Sequence, residues 1–178
     1  MSTTTRRLPT RDELRIWREY IETSDALRSA LGARLQSDSG LSSGDYTVLL
    51  ALSEADDHRL RSSVLAAQIG WERSRLSHHL GRMERRGLIA REDCPTDNRG
   101  AEIVLTAAGA TVFEDSNGPH LRAIREVFVD ALTPEQLAAA GEVANALRVH
   151  LTDHTDRLTR RATPDRGRSP HGLERRQD

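Results

Sequence analysis

The chain has 178 residues, enough for one domain that buries roughly 70% of its unfolded surface. Its formal charge is −1 and all 26 basic residues are arginine, so net charge alone points to no partner. One cysteine excludes an intrachain disulfide framework, no apolar run approaches the ~20 residues needed to span a bilayer, and the opening MSTTTRRLPTRDE has no signal-peptide core; a cytoplasmic protein with no membrane partner is expected.

Aromatic residues make up only 3% of the chain, so the core must come from leucine, valine, isoleucine and alanine, a composition that favours helices. Residues 1 to 9 read as a polar lead-in. Thr10 and Glu13 form a capping box, followed by a stripe of Leu14, Trp17, Ile21, Leu27, Leu31 and Leu35, which predicts a helix from 10 to about 36, ending near Ser37. Ser42 and Asp45 give a second start signal, with aspartate in glutamate's place, ahead of a shorter helix bearing Tyr46, Leu49, Leu50 and Leu52. Leu60 marks a minimal strand.

The stretch from Ser62 to Thr106 is the most specific. Leu65, Ile69, Trp71, Leu76, Leu80 and Met83 recur at spacings of three to five residues, which suits two crossed helices sharing one core. Ala66 is small enough to let them approach, and Gly70 sits at the corner, where a positive φ is expected. On the second of these helices Arg73, Ser74, Arg75, Ser77, His78, His79 and Arg82 form a polar outer face without an acid. A helix with an apolar seam on one side and this face on the other is suited to an anion, double-stranded DNA above all. Gly87 ends the helix; Leu88 and Ile89 begin a strand, and Ala101 to Leu105 is a second. The polar loop from Arg91 to Gly100 between them is too long for a tight hairpin and reads as a wing that places Arg99 at a minor groove. The plainer alternative is a surface hairpin with a solvated arginine. From His58 to Gly100 nine arginines face five acids, a local charge of +4.

Thr106 caps the next helix, which carries Val112, Phe113, Leu121, Ile124, Val127 and Phe128; Gly118-Pro119 inside it predicts a kink or a break. Thr133, Pro134 and Gln136 open the last helix, with Leu137, Ala140, Ala144, Leu147 and Leu151 on one stripe fading near Leu158. Residues 160 to 178 hold six arginines without periodicity and read as a disordered tail. The blocks 10–36 and 106–157 bear more apolar surface than the 42–105 lobe between them can cover. A second copy of the chain is the simplest cover, and a dimer would set two recognition helices ~34 Å apart on a palindromic operator.

Several of these motifs together resemble the MarR (multiple-antibiotic-resistance regulator) family of bacterial repressors. They are Ser74-Arg75-Leu76-Ser77-His78-His79-Leu80 with Arg82-Met83, then Arg86-Gly87-Leu88-Ile89, then Asp97-x-Arg99 followed by Val104-Leu105-Thr106-x-x-Gly109. The likeness covers nearly all of residues 10 to 157. It implies a mainly α fold with a small β wing, a winged helix-turn-helix flanked by dimerisation helices. It also implies a homodimeric DNA-binding regulator whose affinity is set by a small molecule or by oxidation. Relatives bind aromatic acids or phenols between the dimer helices and the DNA-reading lobe, near Trp17, Tyr20 and Tyr46. Core packing is the ordinary explanation for Trp17, and Tyr46, with its polar tip, is the better pocket residue.

Arg75 and Arg82 lie two turns apart on the outer face and are the base-reading arginines, while Ser74 and Ser77 suit phosphate. Arg73 is a partner for Asp97 in orienting the wing. Cys94 sits beside Asp93, whose charge raises a thiol's pKa, so an inert loop thiol is expected over a redox sensor. His150 and His154 are four apart, a chelating spacing, but nothing completes a ligand set; neither metal nor cofactor is expected. A ligand-free constitutive regulator, or a redox-responsive one acting through Cys94, remains open within this class. Outside it, a helical protein-interaction module is the alternative. An enzyme is not expected: no nucleophile, base and orienting acid can be grouped, and Ser77 and His78 are chain neighbours that cannot share that geometry.

Overall fold

Three local start signals set the helices. In the computed structural model, which describes residues 7–93 and 101–162 (side chains for 7–92 and 101–154), Thr10 and Glu13 make both bonds of the capping box. The Glu13 N–H reaches Thr10 Oγ1 at 3.2 Å and the Thr10 N–H reaches Glu13 Oε2 at 2.6 Å. The helix that follows, α1, spans Arg11–Ser39 and stops at Gly40, whose φ of 69° is the left-handed conformation glycine adopts without strain. It runs just past the expected end at Ser37. Ser42 and Asp45 repeat the box for α2 (Ser43–Ser53). The third start signal belongs to the last helix.

A turn at Asp56–His58 leads into β1 (Arg59–Arg61), then α3 (Ser62–Gln68) and α4 (Arg73–Arg85). Gly87, with φ 71°, turns the chain into β2 (Ile89–Asp93), and β3 (Ala101–Leu105) returns antiparallel to it. The sheet order is β1-β3-β2, with Ile103 opposite Leu60 on one side and Arg91 on the other. Leu88 lies in the turn, so the strand begins one residue later than expected.

The core gathers Val48, Leu49 and Leu52 from α2, Leu65 and Ala66 from α3, Leu76, Leu80 and Met83 from α4, and Ile89 and Ile103 from the sheet. Each fully buried leucine contributes roughly 1.5–3 kcal/mol, so this small lobe rests on a handful of aliphatic side chains drawn from every element. Ala66 is buried at the crossing of α3 with its neighbours, as its size requires.

After the wing, α5 (Ala107–Ile124) starts at Thr106, whose Oγ1 accepts the Gly109 N–H at 2.9 Å and donates to the Gly87 carbonyl at 2.6 Å. Pro119 lies inside α5, yet the helix is not broken there. A proline removes its own N–H from the ladder and crowds the carbonyl four residues back, yet the helix continues on either side of Pro119. The departure from α geometry comes later, at Arg125–Val129, where a π turn is closed by the Asp130 N–H on the Arg125 carbonyl at 2.8 Å.

The chain divides into two units, 1–131 and 132–178. The second is the last helix, α6 (Pro134–Ala162), opened by Thr133 and Gln136: the Thr133 N–H meets Gln136 Oε1 at 2.9 Å and the Gln136 N–H meets Thr133 Oγ1 at 3.2 Å. It extends beyond the expected fade at Leu158. Val143, Leu147, Val149 and Leu151 are exposed along it. Cys94, Asp97, Arg99 and residues 163–178 lie outside the described residues. No helix among the described residues is long and apolar enough to cross a membrane.

Candidate nucleic-acid interface

The corner between α3 and α4 is made by backbone. The Ile69 N–H bonds Leu65 O at 3.0 Å, Gly70 turns at φ 66°, and the Trp71 N–H returns to Ala66 O at 2.9 Å. Gly70 thus has the positive φ its position predicts. The corner rolls α4 so that Leu76, Leu80 and Met83 enter the core, and Arg73, Ser74, Arg75, Ser77, His78 and Arg82 stay exposed. None of those six is acidic. Glu84, on α4 outside this set, is paired with Arg91 at 3.4 Å.

His79 departs from the expected outer face. It is only 7% exposed, because it lies three residues from Leu76 and four from Met83 and so shares their side of the helix. Its Nε2 stands 3.0 Å from Asp45 Oδ1, a charge contact out of line for a linear hydrogen bond. Its Nδ1 is 2.8 Å from Arg82 Nη2. Arginine can only donate, so Nδ1 accepts, and a neutral ring carries its proton on Nε2, facing the carboxylate. Trp71 packs edge-on to the same ring, with centroids 5.1 Å apart. The Arg75 guanidinium lies over the Trp71 face, 4.3 Å from its centroid, in cation–π geometry.

Asp45, expected only as a capping partner, is the hub beneath this helix. It is 4% exposed, and its Oδ2 accepts from Arg86 Nη1 at 2.7 Å and from the Ser42 N–H at 2.9 Å. Burial pushes its carboxyl up, but His79, the Ser42 N–H and Arg86 outweigh burial and hold it well below the usual carboxylate range. Arg86 also donates to the Gly40 carbonyl at 2.9 Å, joining the end of α4 to the α1–α2 corner. Arg91 donates to the Ser77 carbonyl at 2.9 Å, fastening β2 to α4. Asp45 was legible from sequence only as a capping residue, and Arg86 and Arg91 carried no expected site role, since these partners lie 14 to 46 residues away. A cleft of about 410 Å³ opens between the start of α2 and α4, lined by Ser43, Gly44, Thr47, Trp71, Arg75 and His78, with His79 and Arg82 at its wall.

The three aromatic pocket residues are not brought together. Trp17 is 60% exposed, not packed in a core, and the other side chains of the first turns of α1 are exposed with it. It lines a groove of about 510 Å³ with Arg7, Leu8, Pro9, Glu13 and Leu14. Tyr20 is also exposed on α1. Tyr46 is half-buried against α5: its hydroxyl donates to Asn117 Oδ1 at 2.9 Å, and its ring lies 5.3 Å from Phe113 and 4.5 Å from His120. Burial raises the Tyr46 phenol and lowers the His120 imidazole. His120 Nδ1 is buried with no hydrogen-bond partner among the described residues. The His150 and His154 rings stack at 6.2 Å, and no group of three metal-ligating side chains is found among the described residues.

Two helices joined by a tight corner, with a basic outer face on the second, set between the strands of a three-stranded antiparallel sheet, define a winged helix-turn-helix protein. The MarR family model matches residues 39–100. AbsC, a MarR family transcriptional regulator from Streptomyces coelicolor, is 35% identical over 83% of this chain and 99% of its own, with a TM-score of 0.75. Sco3205, a MarR family transcriptional regulator from the same organism solved in complex with DNA, is 38% identical over 82% of this chain and 91% of its own, with a TM-score of 0.76. The transcriptional repressor YetL of Bacillus subtilis is 31% identical over 89 residues, 50% of this chain and 53% of YetL. The chain belongs to the MarR family of transcriptional regulators, a family of regulators and not of enzymes.

Proposed function

We propose that this protein is a homodimeric DNA-binding transcriptional repressor that reads duplex DNA with α4 and is released by a small aromatic or phenolic effector. The observation that carries the DNA reading is the division of α4 into a buried aliphatic face and an exposed face of Arg73, Ser74, Arg75, Ser77, His78 and Arg82. A helix of this width fits the major groove, where arginine pairs with guanine O6 and N7. In this reading Ser74 and Ser77 hold phosphate, and Asp97 and Arg99 belong to the wing. The solved complex of Sco3205 with DNA and the repressor YetL support it.

Dimerisation is supported by apolar side chains that a single chain leaves exposed. Leu14, Ile16, Trp17, Tyr20 and Ile21 on α1, and Val143, Leu147 and Leu151 on α6, are all exposed in the single chain, more than a monomer leaves to water without a reason. The effector reading rests on Tyr46, Asn117 and the unpartnered His120 Nδ1. A phenol hydroxyl would supply a donor to an accepting Nδ1.

The test is selection of duplexes from a random pool by the wild-type protein, followed by titrations across salt. Arg75→Ala is expected to lose ~1–3 kcal/mol of discrimination at one base pair per half-site. Arg99→Ala should weaken selected and unrelated duplexes alike and reduce the salt slope by about 1. Two variants that titrate like wild type would overturn the DNA reading. Adding phenols and aromatic acids to the same complexes tests release.

A further inference from the structure

The basic face of α4 is supported from beneath by a side chain that is itself only 7% exposed. His79 is clamped on every side by groups already in place. Asp45 Oδ1 stands 3.0 Å from its Nε2, the Trp71 edge meets one side of its ring, and Gly44 of α2 comes so close that a Cβ there would lie 2.8 Å from His79 Cε1. One polar atom of the ring, Nδ1, is turned toward the exposed arginine and accepts from Arg82 Nη2 at 2.8 Å.

We propose that His79 is a positioning residue for DNA recognition: held by Asp45 in the tautomer that leaves Nδ1 free to accept, it fixes the Arg82 guanidinium in the orientation used on the duplex. The proposal rests on Arg82 being a DNA contact.

A long, flexible arginine side chain has much rotamer freedom to lose when it is ordered. An arginine already ordered before DNA arrives has less left to lose on binding, so affinity rises without any new contact to the duplex. The bond to His79 occupies one N–H of the five on the guanidinium, leaving the others for guanine or phosphate. Asp45 makes the arrangement one-way. With the carboxylate beside Nε2, a neutral ring keeps its proton on that side and presents Nδ1 to Arg82 as the acceptor. A histidine with its tautomer fixed by a carboxylate on the far side is an oriented acceptor, as in metal sites where an outer carboxylate sets which ring nitrogen is free.

The test uses the full chain and a duplex enriched by the wild-type protein from a random pool, with a double-mutant cycle between positions 79 and 82. His79→Gln keeps a polar group at the distance of Nε2 but none at that of Nδ1. His79→Asn keeps an acceptor at the Nδ1 distance. Arg82→Ala is expected to weaken binding about tenfold, and His79→Gln about fivefold in the wild-type background. Added to Arg82→Ala, His79→Gln should cause no further loss. His79→Asn should bind more tightly than His79→Gln, whatever each does to the melting temperature.

If Arg82→Ala binds as wild type, the reading of Arg82 as a DNA contact fails and the proposal with it. If Arg82→Ala is weakened but His79→Gln is not, or if His79→Gln costs the same factor in both backgrounds, or if Asn is no better than Gln, His79 is a packing residue only and the proposal is overturned.

Discussion

At the scale of single residues, a few buried polar groups decide how the basic helix is held. Asp45 caps α2 and anchors Arg86 and His79 at once, so its loss is felt by both α2 and α4. Asp45→Ala is expected to destabilise the fold by about 2 kcal/mol, less than for a fully buried ion pair because Arg86 is 44% exposed and can rehydrate. The pH dependence follows from the sign of its shift. A carboxyl held below its unfolded value near 3.9 contributes fully above about pH 5, and that contribution is lost as pH falls through the unfolded value toward the folded one. Urea unfolding from pH 6 to 3 should therefore show a steeper acid loss in wild type than in Asp45→Asn. Parallel curves would contradict the ion-pair role.

Residue identity and residue position disagreed at one place. His79 belongs by spacing with Leu76, Leu80 and Met83, and the structure follows spacing. Its polar chemistry suggests an outward face only when the buried partner is unknown, and that partner, Asp45, is 34 residues earlier in the chain. Trp17 shows the reverse case. It sits on an apolar stripe, which reads as core, but the first turns of α1 leave it open to solvent within its own chain.

At the scale of elements, what was legible is what depends on short range. The boxes at Thr10/Glu13, Ser42/Asp45 and Thr133/Gln136 begin their helices where the sequence places them, and β3 matches end to end. Each is fixed by residues within four positions. The π turn at Arg125–Val129 has no such marker; Pro119 announces an irregularity, but the helix continues through it and departs from α geometry six residues later. The joint between α5 and the turn after α4 was half legible. Thr106 reads as a cap, but its bond to the Gly87 carbonyl and the need for glycine at 109 come from tertiary contact. A Cβ on Gly109 would lie 2.0 Å from the Leu88 carbonyl oxygen, a backbone atom that cannot swing away. Gly109→Ala is expected to destabilise the protein by about 3 kcal/mol, at the upper end for overpacking, despite alanine's better helix propensity. Chemical denaturation checks it, and an unchanged or raised midpoint would contradict the packing described for this joint.

At the scale of the whole molecule, neutrality hides an uneven distribution. The segment from His58 to Gly100 carries +4 within a chain of net −1, which is how a nearly neutral protein can meet a polyanion at one face. The apolar stripes of α1 and α6 were readable as stripes, and their exposure in one chain is what a partner copy would relieve. Replacing Leu147 and Leu151 by arginine should convert a dimer into a monomer at micromolar concentration and lower affinity for a palindromic duplex by about a hundredfold or more, since avidity is lost. Sedimentation velocity reads the first outcome and titration the second. A variant that remains dimeric would remove α6 from the interface.

The most direct measurement of a paired, groove-bound α4 is methylation protection of guanine N7 on a selected duplex, because that atom is reached only from the major groove. Protected guanines are expected in two half-sites whose centres lie about 10 base pairs apart, one helical turn, and Arg75→Ala should uncover one guanine in each. Protection of a single half-site, or bound DNA with every guanine N7 still reactive, would contradict the placement of α4.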